Sequence, residues 1–126
     1  MAVKYSVTEK GNPLQPEQPK KWYANARSAG DTTLRTLSKE IAARSTVSSA
    51  DTQAVLVALT EVLVEHLSNG KIVRLGDFGA FQVSIGSAGA ETAAKFNASL
   101  IKNSKVVFRP GIDLKEMQKN LKFEKI

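Results

Sequence analysis

The sequence contains no cysteine. That excludes a disulfide scaffold, a thiolate metal site and a thiol nucleophile. It has one histidine, His66. No serine or threonine is placed with that histidine and an acid in a recognisable catalytic motif, and the acids show no metal-ligand spacing. Gly76 and Gly79 are too few for a phosphate loop. The expectation is therefore no enzyme, no metal, no cofactor and no small-molecule substrate. No run of 18 apolar residues occurs, so no membrane-spanning helix and no membrane partner are expected. Met1 to Lys10 lacks a continuous apolar run and does not read as a secretory signal, so the expected location is the cytoplasm.

What remains is a basic chain of 126 residues, 42% hydrophobic, with 18 Lys and Arg against 12 Asp and Glu and a net charge of +6. The length fits one ordinary domain, and the apolar content favours a folded one. The charge suits a polyanionic partner, either nucleic acid or an anionic membrane surface.

Residues 1–30 differ from the rest. Val3, Tyr5 and Val7 alternate with polar residues, as in a short half-buried strand. Gly11, Asn12 and Pro13 mark a turn, and Pro13, Pro16 and Pro19 predict an extended connector. Trp22 and Tyr23 follow, expected to pin this extension to the body; a base-stacking platform is the alternative. Residues 31–126 form the second division. A first helix is predicted from Asp31 or Thr32, with Leu34, Leu37 and Ile41 on one face. Ser48 caps a second helix that runs to about Ser68, with Gly70 as its stop.

The second helix is unusually apolar. Val55, Leu56, Leu59, Val62, Leu63 and Leu67 span an arc of roughly 140°. A short first helix cannot cover that arc, so a second subunit is expected, with Leu59 and Leu63 in its interface. Lys71–Leu75 and Phe78–Ile85 read as strands joined at Gly76-Asp77. Residues 86–105 read as a long excursion. Lys105–Arg109 is a third strand, and Asp113–Leu121 a short final helix. His66 lies inside the apolar arc and is expected to be partly buried.

Two segments resemble the HU/IHF family of bacterial histone-like proteins. One is Gly70-Lys71-Ile72-Val73-Arg74-Leu75-Gly76-Asp77-Phe78-Gly79-Ala80-Phe81, which looks like the family's passage from helix into hairpin. The other is Phe108-Arg109-Pro110-Gly111-Ile112-Asp113-Leu114-Lys115, similar to the family's lead into its last helix. The likeness covers roughly residues 31–122. The extension is similar to that of N-terminally extended variants. The resemblance implies an α+β fold: two helices, a three-stranded antiparallel sheet with an extended β-arm, a short C-terminal helix, and an intertwined homodimer. Phe78, Phe81 and Phe108 would form its aromatic core, and Gly79 would let the backbone turn.

By the same resemblance the chain is an architectural, largely sequence-nonspecific DNA-binding protein, nucleoid-associated, that bends duplex DNA through its minor groove. Candidate phosphate contacts are Arg74 and Arg109 on the sheet and Lys95, Lys102 and Lys105 in the arm. Three departures stand out. Asp77 replaces a usual glycine, the excursion carries lysines but no arginine, and it has no proline, which family arms use as a wedge between base steps. They motivate an alternative: a structural or protein-interaction dimer that has lost strong DNA binding, its site occupied by the Val3-Tyr5-Val7 strand.

Overall fold

The computed structural model describes residues 1–126 as a mixed α+β chain with three α-helices and two three-stranded sheets. It divides into two compact units, Met1–Thr33 with Met117–Ile126, and Leu34–Glu116. The last ten residues thus group with the N-terminal ones rather than with the segment that precedes them.

In the first unit, β1 (Val3–Lys10) and β2 (Lys21–Arg27) form an antiparallel hairpin. The proline-bearing residues 11–20 are its tip, not a connector. There the Asn12 side chain accepts from the Leu14 N–H at 2.9 Å, and two successive backbone turns follow, Gln15 N–H to Asn12 O at 3.0 Å and Gln18 N–H to Gln15 O at 3.1 Å. Sequence reading passed over β2 because Ala24 and Ala26, which alternate along it with Tyr23, Asn25 and Arg27, are too small to signal a strand. Trp22 and Tyr23 lie on β2 at 66% and 49% exposure, so neither pins the extension.

A last strand, β6 (Phe123–Lys125), lies parallel to β1 and gives the order β2-β1-β6. Val3 N–H donates to Lys122 O at 2.8 Å and Ile126 N–H to Tyr5 O at 2.9 Å. Over Val3–Tyr5 both edges of β1 are thus occupied within its own sheet; from Ser6 to Lys10 β1 pairs with β2 alone.

The second unit begins with α1 (Leu34–Ala43) and α2 (Ser49–Ser68). The first helix starts later than Asp31 or Thr32. The second is capped as its sequence implies: the Ser48 hydroxyl accepts from the Asp51 N–H at 3.1 Å. At its other end Gly70 takes φ +78°, with Gly70 N–H on Leu67 O and Lys71 N–H on His66 O. That is the paired closure of a Schellman ending, which a Cβ would strain.

The antiparallel sheet β3-β4-β5 follows, from β3 (Val73–Arg74), β4 (Gly79–Ser87) and β5 (Ile101–Pro110). The predicted strand over 71–75 shrinks to two residues. The ends of the predicted excursion belong to a ribbon, since β4 and β5 continue to Ser87 and Ile101, and residues 88–100 form its tip. Two short 3-10 turns, Ala93–Lys95 and Ala98–Leu100, are capped by Thr92 and Asn97. The final helix α3 is Ile112–Lys119, two residues shorter than expected at its end because the chain leaves it for β6.

No hydrophobic side chain is buried in this chain; Ser38 and Thr52 are the buried side chains. Each hydroxyl is satisfied by a carbonyl one turn back, Leu34 O and Ser48 O respectively, both at 2.8 Å. Accessible surface totals 10626 Å² for 13.6 kDa. A folded monomer of that mass exposes roughly 6,600 Å². Along α2, Val55, Leu59, Val62 and Val64 all remain exposed, and His66 is exposed rather than partly buried.

Candidate nucleic-acid interface

The β3-β4-β5 sheet sorts its residues by parity. Val73 pairs with Phe81 and Phe81 with Phe108; one residue along, Arg74 pairs with Ala80 and Ala80 with Arg109. Side chains on adjacent strands at paired positions share a face, and successive residues alternate. One face thus carries Phe81, Val83, Ile85, Phe108 and Val106. The other carries Arg74, Ala80, Arg109, Gln82, Val107, Ser84 and Lys105.

On the apolar face the Phe108 ring meets Phe81 with centroids 4.8 Å apart and Phe78 at 5.7 Å, both tilted. Tilted pairs at these distances are attractive beyond their burial. Yet Phe78 and Phe108 remain 47% and 36% exposed. The three phenylalanines singled out in the sequence are in fact one cluster, open on one side.

On the polar face Arg74 and Arg109 stand on either side of Ala80, two strand spacings or roughly 10 Å apart. A methyl between them leaves a shallow cavity of about 170 Å³, lined by both arginines, Ala80, Gly79 and Gly111. Ala80 is the residue that sequence reading missed. Only the strand register reveals that a small side chain separates two guanidinium groups. Lys105 sits four residues along β5 from Arg109, roughly 13 Å away on the same face.

The remaining candidates lie elsewhere. Register slips between Gly86, opposite Asn103, and Ser87, opposite Ile101, so Lys102 is the extra residue of a β-bulge. Such a bulge bends a ribbon and increases its twist. Lys95 lies in the tip, 3.2 Å from Glu91 in an exposed ion pair. Phe96, also in the tip, is 41% exposed.

Two glycines hold the arginine strands in place. Gly79 has no positive φ, so the turn argument for it does not apply. A Cβ there would lie 2.5 Å from Phe108 Cζ and 2.7 Å from Arg109 O, so the position needs glycine for close approach. Gly111 packs equally tightly on the Asp77 carbonyl. Its N–H donates to Phe78 O at 2.8 Å, while Asp113 N–H donates to Asp77 O at 3.1 Å. The two sequence segments are thereby stitched together. The bend between β3 and β4 places Gly76, φ +53°, at its first central position and Asp77 at its second, closed by Phe78 N–H to Leu75 O at 3.0 Å. Asp77 needs no positive φ there, so this turn can do without a second glycine.

The fold is similar to that of a candidate bacterial DNA-binding protein from Bacteroides vulgatus, with a TM-score of 0.65 at 13% identity over 98% of this chain. This chain spans 48% of that protein's length. No curated protein matches it. The family model HU-HIG, described as an HU domain fused to a wHTH, Ig or glycine-rich motif, matches residues 1–125. The chain belongs to the HU-HIG family.

Proposed function

We propose that this protein is a DNA-binding, DNA-bending homodimer of largely sequence-nonspecific, nucleoid-associated type. The observation that carries the reading is the Arg74–Ala80–Arg109 row, backed by an aromatic cluster on the reverse face. The row offers two guanidinium forks to phosphates, with Lys105 farther along. The reverse face and α2 offer apolar surface that a second copy would bury. The excess of roughly 4,000 Å² per chain, about 8,000 Å² for two copies, exceeds the roughly 2,000–5,000 Å² of obligate dimer interfaces, so a dimer interface accounts for part of it. The bulged ribbon supplies a curved arm, and its residues Lys102 and Lys105 add phosphate contacts. The HU domain in the family description and the neighbour's DNA-binding designation support the same ligand.

The test is the salt dependence of duplex binding, read by fluorescence anisotropy. Each lost phosphate contact lowers the slope of log K against log[salt] by about 0.9. Replacing Arg74→Gln and Arg109→Gln together removes two contacts in each subunit, lowers the slope of the dimer by about 4, and weakens unrelated duplexes alike. An unchanged slope would remove the arginine row from the interface. Sedimentation of the free protein at twice 13.6 kDa is expected; a lone monomer defeats the dimer.

A further inference from the structure

The hairpin carries a second charged surface that the HU-like residues do not account for. On β1 and β2 the pairing is Lys4 with Arg27, Ser6 with Asn25, Thr8 with Tyr23 and Lys10 with Lys21. These eight residues therefore share one face. Contacts within that face confirm it: Arg27 Nε donates to Ser6 Oγ at 2.7 Å and Asn25 Nδ2 to Thr8 Oγ1 at 2.6 Å. The opposite face is mostly apolar: Val3, Tyr5, Ala24, Ala26 and Phe123 surround a common hollow, with Glu9 opposite Trp22 and Lys125 in register with Tyr5.

The charge distribution on the polar face is unusual. It has four cations, and one carboxylate, Glu124, opposite Lys4 on β6. The face thus carries half of the chain's net charge of +6. Two cross-strand pairs, Lys4 with Arg27 and Lys10 with Lys21, set like charges directly opposite each other, an arrangement that costs stability. Nothing in the hairpin requires it. The two pairs are six residues apart, roughly 20 Å along the strands. Between them lie hydrogen-bonding groups and the Tyr23 ring, 49% exposed.

We infer that this face of the N-terminal hairpin is a second nucleic-acid-binding surface, gripping the phosphate backbone of a DNA duplex by its two cation pairs. The inference shares its ligand with the reading above and assigns that ligand a different surface. Charge complementarity selects the occupant: an extended polyanion reaches both repulsive pairs, which a single small anion cannot do across roughly 20 Å.

The experiment uses the full chain. In one variant Lys4, Lys10, Lys21 and Arg27 are each replaced by Gln. In a second, only Lys10→Gln and Lys21→Gln are made, since these two lie next to the hairpin tip and support no side-chain hydrogen bond of the face. A third, Lys10→Arg with Lys21→Arg, keeps the charge. Thermal melting should show the second variant as stable as the parent or more so, because a repulsive pair is gone. Duplex affinity at low salt should fall roughly tenfold or more in the first variant, with the salt slope reduced by about 2 to 4. The second should lose about half of that change in slope, and the third none. If the first variant keeps the parent slope and affinity while the Arg74, Arg109 variant loses them, the hairpin surface is refuted and the sheet surface stands. The reverse result upholds the hairpin and refutes the sheet. Binding to phosphatidylglycerol vesicles serves as a further arm. If the substitutions abolish vesicle binding and leave duplex binding untouched, the inference is overturned in favour of a membrane surface.

Discussion

Replacing Gly79 by alanine sets two physical effects against each other. The backbone there has no positive φ, so alanine can adopt it. Restricting the unfolded chain would then stabilise the protein by about 0.4–1 kcal/mol. Against this, the new methyl would lie 2.5 and 2.6 Å from two carbons of the Phe108 ring and 2.7 Å from Arg109 O. The ring could swing aside, at the cost of its contacts with Phe81 and Phe78. The carbonyl belongs to the β4–β5 ladder and cannot move without opening a rung. Overpacking of this kind costs about 1–3 kcal/mol. The clash therefore wins, by about 1–2 kcal/mol, and Tm should fall by roughly 4–10 °C. Melting should be followed by circular dichroism at one protein concentration, because association shifts apparent stability. Gly89 is the control: nothing lies within 4 Å of its Cβ position and its φ is not positive. Gly89→Ala should leave Tm unchanged or slightly raised. If Gly79→Ala melts with the control, the close approach of β4 to Phe108 is refuted, and with it the argument for how the arginine strand is held.

Two further outcomes test other parts of the structure. Ala80→Glu places a carboxylate between Arg74 and Arg109; filter binding should show duplex affinity reduced by about tenfold or more and the salt slope lowered by about 2, as the carboxylate offsets one guanidinium charge in each subunit of the dimer. Equal binding would mean that the row does not face DNA. Truncation after Asn120 removes β6, and amide exchange should then show lost protection at Val3, whose N–H otherwise donates to Lys122 O; retained protection would disprove the parallel pairing.

The second unit was legible because its signals are local. Ser48 and Gly70 bracket α2 by cap chemistry, Gly76-Asp77 gives the turn, and Phe81, Val83 and Ile85 announce their strand by alternation. The aromatic trio could be named, and so could Arg74 and Arg109. What sequence reading could not supply is which of these share a face. Ala80 carries no signal of its own, and Lys102 owes its place on a bulge to a one-residue slip between β4 and β5. Lys95 could be named as a cation but not as the partner of Glu91.

Periodicity and capping thus settled the order of helices and strands in Leu34–Glu116, because those forces act between residues a few positions apart. The N-terminal sheet depended on tertiary structure. Its middle strand joins residues more than a hundred positions apart in the chain, Val3 and Phe123, and its second strand is held by a ladder that alanines do not advertise. Backbone hydrogen bonds between distant segments leave no periodic trace in either one. The register that gathers Lys4, Lys10, Lys21 and Arg27 on one face came from that ladder, since only pairing fixes which alternate side chains stand together.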